Sequence, residues 1–468
     1  MIRQKNMRSV NSLSKRTILY VISQTLSRGI NAIAAFIFVR LLSTEEYGIV
    51  SVYTALVAIL TVIISLGMDG TIQIAKTKYG TDKLDAYCSA TLTVSCIFFS
   101  CIVFIILSIG LLRGEIFHRP LWYVMLLLFH SFGDSCLRFR SAYYTSTKQA
   151  DKDLYVSLLI SIISLGISIT AVMLMEHNKY IGRIAGFSCS YFSLGTCFLL
   201  LMLKKGKCYF NGQYFRFCLP LAIPLIFHGL SAVIITQFDK LMLDHLAGSY
   251  EVGLYSFGLN LAYPISTIWY ALNHSWIPEY HELMASGNSK DLEEHSNNYM
   301  FVFTGLVCGY ITVSKEALQI LGTSEYYILE KTLPLMALYF YIHFLYTFPI
   351  NFEFFRGNTK LMGTAMVCSA FLNMGLNYIL IPELGITGAI TASVVSSCFL
   401  LVVHDFNARF LLKKYHYTIT FYLKGLSAVL VTLVLTYLFM DHLFIRWFMG
   451  SIIAAFLIKH VIKKRAII

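Results

Sequence analysis

Charge is what this sequence has little of. Asp, Glu, Lys and Arg make up 13% of its 468 residues and hydrophobic residues 57%, against about 25% charged in an average soluble domain. That balance excludes a chain folded around one water-covered core. Several enzyme signatures are missing too. No G-x-x-x-x-G-K-[ST] loop is present, so the chain does not itself hydrolyse ATP through a P-loop, and no H-E-x-x-H pattern offers a zinc site. The 11 cysteines, Cys96, Cys101 and Cys189 among them, fall mostly inside apolar runs without metal-ligand spacing and read as small bundle residues. Asp151 and Asp153 form a D-x-D, but in a short loop with no nucleotide-binding fold around it. No resident cofactor or metal is expected.

What is present is a succession of apolar runs. A hydrocarbon core about 30 Å thick takes roughly 20 residues per helical span. Fourteen segments qualify, near 17–42, 47–73, 87–112, 120–146, 154–176, 180–203, 217–245, 253–277, 298–321, 333–355, 361–381, 386–411, 419–440 and 444–462. The expected fold class is an all-α polytopic membrane protein. The N-terminal MIRQKNMRSVNSLSKR leads into a span too long for a signal peptide and without a small-residue cleavage site, so the first helix is expected to stay.

Orientation follows from the basic residues. Of the 37, 24 fall in segments that are inside if the N-terminus is inside. Seven (Arg113, Arg119, Lys179, Arg183, Lys315, Lys331 and Arg446) fall in the opposite connections. Cytoplasmic connections carry the excess of Lys and Arg, so both termini are expected in the cytoplasm. The net charge of +12 is then mostly a topological signal. No folded module gathers it into a nucleic-acid surface.

An internal repeat runs through the chain. LLSTEEYGIVS at 41–51 matches LAGSYEVGLYS at 246–256, an offset of 205 that sets Glu46, Gly48 and Ser51 against Glu251, Gly253 and Ser256. Thr147 and Lys148 echo Thr359 and Lys360. Six spans separate corresponding points, so the copies share one orientation. That predicts two pseudo-symmetric six-helix lobes around a central cavity, a recurring transporter plan with its substrate site at the interface. The expected division is a cytoplasmic 1–16, an N-lobe at 17–210, a C-lobe at 211–412, and two further helices with a cytoplasmic C-terminus at 413–468. The polar stretch PEYHELMASGNSKDLEEHSNN at 278–298 reads as a partly helical, solvated connection.

Six basic residues remain in or beside spans: Arg28, Arg40, Arg138, Arg140, Lys240 and Lys424. A charge at a helix centre costs about 2.5–3.5 kcal/mol on insertion scales, so each implies a partner or a water-filled cavity. Gln24, Ser27, Arg28 and Asn31 make one helical stripe, which faces protein or water as a ligand contact or an internal packing element. His130, Asp134 and Arg138 recur every four residues, a spacing that allows an Asp134–Arg138 pair. Gln237, Lys240 and Asp244 share a face of the seventh span, with Asp239 on another. Ser51, Thr54, Ala58, Thr61, Ser65 and Asp69 line one stripe of the second span. Ser256, Tyr263, Thr267, Tyr270 and His274 line the corresponding stripe of the eighth, and the tenth adds Tyr339, His343, Tyr346 and Glu353. These stripes are candidates for a cavity lining or for helix–helix contacts.

Three stretches carry a family likeness: RLLSTEEYGIVSVYTALVAILTVIISLGMDG, its second copy GLYSFGLNLAYPISTIWYALNHSWIPEY, and FDKLMLDHLAGSYEVG before that copy. Over nearly its whole length the chain resembles the O-antigen and capsular polysaccharide flippases of the multidrug, oligosaccharidyl-lipid and polysaccharide exporter superfamily. The resemblance implies a non-enzymatic, MATE-like transporter of the bacterial inner membrane. It would carry a polyprenyl-pyrophosphate-linked oligosaccharide to the outer leaflet by alternating access, among membrane lipids and beside a polysaccharide polymerase and chain-length machinery. Arg28 would anchor the pyrophosphate through bidentate, charge-assisted hydrogen bonds. Gln24, Asn31, Asp69, Arg138, Lys240, Tyr263, Tyr270 and His274 would line the cavity. Superfamily members use proton or sodium gradients, for which Asp69, Asp134, Asp239 and Glu353 are candidates. The alternatives are a drug or small-cation exporter of the same fold and, in another class, a membrane-embedded polysaccharide polymerase or ligase, which would need a larger outer loop.

Overall fold

The computed structural model describes residues 29–30, 33–113, 115–116, 119–357, 360–413 and 415–464. Almost all of them are helical, as lipid demands, because a helix satisfies its backbone polar groups within itself. The chain divides into two compact units, Met1–Leu241 and Met242–Ile468.

In the first unit a helical segment at 33–41 precedes α1 (Thr44–Ser65), a 3-10 turn (Asp69–Thr71), α2 (Ile72–Tyr79) and α3 (Leu84–Arg113). A two-residue hairpin, β1 (Glu115–Ile116) with β2 (Arg119–Pro120), leads to α4 (Leu121–Ser146), α5 (Ala150–Met173), α6 (Lys179–Gly206) and most of α7 (Gly212–Ala247). Packed rings and small side chains fill its centre, with Tyr87, Phe132, Cys136, Phe139 and Cys218 all buried. Helices α4 and α6 meet at glycines. A Cβ on Gly133 would lie 2.3 Å from the Tyr191 carbonyl oxygen, and one on Gly195 would lie 2.4 Å from that of Gly133. Small residues at such crossings let backbones touch.

The second unit holds the end of α7, then α8 (Ser249–Ser286), α9 (Ser289–Leu321), a 3-10 segment (Ser324–Glu330) and α10 (Leu333–Phe355). It continues through α11 (Lys360–Leu384), α12 (Ile386–Phe406), a π turn (Asn407–Leu411), α13 (Ile419–Leu438) and α14 (Leu443–Lys464). Buried aromatics form its core: Trp276, Tyr280, Tyr299, Phe303, Tyr341 and Phe344. The polar connection at 278–298 is helical on both sides of Gly287. The Asn288 side chain caps α9, and His295 reaches Glu279 at 2.5 Å. In the connection before α14, Asp441 is held below the usual carboxylate range by the Lys315 ammonium, which also meets Glu330 at 3.0 Å.

The repeated motif has the same job in each unit. Ser43 and Glu46 form a capping box at the start of α1, a reciprocal pair that satisfies two orphan N–H groups. Glu46 also accepts from the Tyr180 backbone N–H at the start of α6, at 3.4 Å. Its counterpart Glu251, in the first turn of α8, accepts from the Ile386 N–H at the start of α12, at 2.9 Å. One carboxylate thus ties the first turns of two helices in both copies.

Eleven described helices are long and apolar enough to cross a membrane. Of the other expected spans, 17–42 lies mostly outside the described residues. The spans at 120–146 and 253–277 are helices, α4 and α8, whose charged, amide and polar aromatic residues keep them out of that set.

Candidate functional site

The first unit carries an open cleft of about 320 Å³ lined by Asp69, Gly70, Gln73, Arg138, Ser141, Ala142, Thr145 and Ser146. The 3-10 turn after α1 presents Asp69 and α2 adds Gln73, while Arg138, Ser141 and Thr145 follow one another up a face of α4. Arg138 is 41% exposed and pairs with Asp134 one turn away, at 3.5 Å. Lys76 of α2 donates to the carbonyl of Ser146, one of the lining residues. A half-exposed guanidinium among hydroxyls, an amide and a carboxylate can grip anionic oxygen and hydrogen-bond to hydroxyl groups.

Behind the cleft the polar groups are structural. Arg140 meets Asp153 at 3.2 Å with both side chains nearly enclosed. Ser141 donates to Asp153 at 3.0 Å, and Arg140 donates to Ser157 at 2.8 Å. The second aspartate of the D-x-D, Asp153, is therefore an internal counter-ion, and Asp151 is exposed. No cluster of three or more His, Cys, Asp or Glu able to hold a metal occurs among the described residues.

In the second unit Tyr263, Tyr270 and His274 share an exposed face of α8. Trp269 stacks on Tyr270 at 4.6 Å, and its ring lies 6.2 Å from that of His343 on α10. His343 in turn touches Tyr339 at 4.7 Å and bonds Ser397 at 3.1 Å. The first unit repeats this polar link with one residue interposed: His130 meets the Tyr53 hydroxyl at 3.3 Å, which meets Ser188 at 2.6 Å.

The structure thus brings together Asp69, Asp134 and Arg138 in one unit and Tyr263, Tyr270 and His274 in the other. Lys240 donates to Gln237 on its own helix at 3.0 Å, and Asp239 is buried. Arg28, Gln24 and Asn31 lie outside the described residues. The second-span stripe turns inward: Ser51, Thr61 and Ser65 are buried, and Thr61 reaches the Ser131 carbonyl on α4. Thr54 and Ala58 of the stripe are half-buried, and Asp69 at its end lines the cleft. Glu353 lies wholly buried, against His404 and Asn407. Spacing gave no sign of those two, because they are brought to it from 51 and 54 residues away.

Three basic residues counted with the outer connections, Arg183, Lys315 and Arg446, sit inside helices. Arg183, buried on α6, lies 3.7 Å from the Phe38 ring and 3.5 Å from the Phe187 ring. Arg446 on α14 makes a two-pronged pair with Glu316 at 2.9 and 2.6 Å. The charges of Arg183 and Arg446 hold helices together, so they carry less topological information than a loop count gives them.

The fold is that of a multi-pass membrane transporter. The solved lipid II flippase MurJ, in an inward closed conformation, superposes with a TM-score of 0.71 at 16% identity, over 96% of this chain and 99% of that one. An outward-facing multidrug resistance MATE family transporter of the MOP superfamily gives 0.52 at 17% identity, over 84% and 93%. An uncharacterized membrane protein of Haemophilus influenzae is 21% identical over 406 residues, 81% of this chain and 95% of its own length. The profile of the polysaccharide biosynthesis protein family matches residues 13–284, more than half of the sequence, and the chain belongs to that family.

Proposed function

We propose that the protein is a flippase that moves a polyprenyl-pyrophosphate-linked oligosaccharide from the cytoplasmic to the outer leaflet of the bacterial inner membrane, for O-antigen or capsule assembly. The observation that carries the reading is the cleft of the first unit, where a half-exposed Arg138 stands among hydroxyl and amide groups in a chain of a polysaccharide family. The arginine supplies a fork for phosphate oxygens, and Asp69, Gln73, Ser141 and Thr145 suit sugar hydroxyls. The relative named as a lipid II flippase points to the same chemical class, a sugar on a lipid. Arg28 keeps its sequence-based role as a second cation for the headgroup, and Tyr263, Tyr270 and His274 offer rings and polar tips on which sugars can lie. The lobes at 17–210 and 211–412 would alternate access, with 413–468 added at the periphery and both termini cytoplasmic. A small-cation exporter fits less well, because Asp134 is already paired with Arg138.

The test is export of surface polysaccharide in a producing host that lacks its own flippase, at matched membrane levels. Wild type restores export. Arg138→Ala forfeits roughly 1.5–3 kcal/mol of charge-assisted bonding, a loss of about ten- to a hundredfold, and Arg138→Lys restores only part because it lacks the planar fork. Equal export by all three removes Arg138 from the site. No export by wild type overturns the function.

A further inference from the structure

One buried cluster of the second unit has no part in gripping a headgroup. Where α10 packs on α12, Glu353 is fully enclosed, and Nδ1 of His404 lies 2.8 Å from one carboxylate oxygen and 3.0 Å from the other. Asn407, which opens the π turn, donates to Glu353 Oε1 at 2.7 Å. His404 is the one basic group within ion-pair distance of Glu353 among the described residues, and its Nε2 is buried without a hydrogen-bond partner there.

Hydrogen positions follow from this bonding pattern. With one hydrogen on the imidazole, it sits on Nδ1 and is donated to the carboxylate. Nε2 is then bare, and the cluster holds a net charge of −1 away from water. One more proton brings the cluster to zero, either as imidazolium with carboxylate or as imidazole with carboxylic acid. In both arrangements the Nε2 lone pair has become an N–H bond. An uncompensated buried charge is strongly unfavourable, so the packed arrangement suits the neutral cluster. Loss of the proton favours one in which the carboxylate reaches water.

Both helices have a place to yield. Pro349 lies inside α10 one turn before Glu353, and α12 passes into the π turn three residues after His404, with Lys413 at φ +57° just beyond. Proline and π turns each interrupt the regular helical ladder. Most titratable groups around the cluster pair with one another or are uncharged, and Arg356, at the end of α10, lies over the Phe352 ring, 5.8 Å from its centroid. Tyr346 of α10 has its ring 5.4 Å from that of His404, and Tyr270 of α8 is electrostatically close to Tyr346. Asp405 and Arg409 pair at 2.5 Å, Tyr415 bonds Tyr422 of α13, and His281 of α8 lies against Phe355.

We infer that Glu353, His404 and Asn407 form a proton-binding site whose occupancy sets whether α10 and α12 remain packed, the proton arriving at His404 Nε2. As the driving step of translocation this rests on the flippase reading; as a proton site it stands apart from it. The test is hydrogen exchange of the full chain in lipid nanodiscs without substrate, across a pH series and corrected for the intrinsic rate. Protection of residues 345–357 and 403–413 falls as pH rises through the step, by up to about tenfold per pH unit, the limit for one linked proton. Glu353→Gln keeps the shape, removes the charge and flattens the step. A flat wild-type profile, or a step that persists in Glu353→Gln, overturns the site; should that variant not fold, the wild-type profile decides alone. Polysaccharide export measured in parallel separates the two readings. Export with a flat profile removes the proton site only, whereas a step without export supports the site and removes the flippase.

Discussion

Among single residues, the buried ion pair of Arg140 and Asp153 makes a sharp prediction. Each charge is tolerated because the other is 3.2 Å away, so removing one leaves its partner uncompensated. Arg140→Ala or Asp153→Ala should lower stability by about 3–5 kcal/mol, while the double change Arg140→Met with Asp153→Leu should cost much less; thermal unfolding in detergent compares them. This scale also shows what spacing can reveal. Asp134 and Arg138 stand four apart on one helix, and their pair was legible before any fold was known. His404 and Asn407 were not, since nothing local in the sequence points at Glu353. Arg183 was misread for the same reason. Its partners are the faces of two rings, and one of them, Phe38, is brought to it from a distant part of the chain.

At the scale of helices, the crossing of α4 and α6 depends on hydrogen standing where a methyl would. Gly133→Ala places a Cβ 2.3 Å from a backbone oxygen that has no rotamer to change, so the helices must separate. The expected result is loss of folded protein in size-exclusion profiles, or at best a penalty of about 3 kcal/mol or more, at the upper end of overpacking costs. The two motif carboxylates predict a milder effect. Glu46→Ala and Glu251→Ala each remove a bond to the first turn of another helix, worth about 1 kcal/mol. The larger loss is expected at Glu46, which also gives up its half of the capping box, a bond from the Ser43 N–H at 3.1 Å, although its bond to the other helix is the longer one, 3.4 against 2.9 Å. Paired melting curves of the two variants would show it. The repeat was visible as matching letters, but its physical meaning, one acid joining two helix starts, needed the packing.

For the molecule as a whole, membrane class and fold were written in composition. Sparse charge and a long series of apolar runs leave few alternatives in lipid, and the offset between motif copies pointed to a transporter plan. The candidate site was only partly legible. Asp69 and Arg138 were both singled out, but on separate stripes, and their meeting in one cleft arises from how α4 lies beside the 3-10 turn. The stripe on α1 was polar for another reason: Ser51, Thr54 and Ser65 donate to carbonyls of their own helix, and Thr61 alone among them reaches a carbonyl of α4.

The sequence by itself determined that the chain crosses a membrane as helices, that its halves share a plan, and which few charges needed an explanation. Those are consequences of solvent and period, which act on every residue where it stands. Tertiary structure decided which polar groups face one another: Arg138 with Asp69 across a cleft, Arg140 with Asp153 in the interior, Glu353 with His404 and Asn407 between helices. Such meetings depend on the register and crossing of helices far apart in the chain, and a helical stripe says which face is polar without saying what comes to meet it.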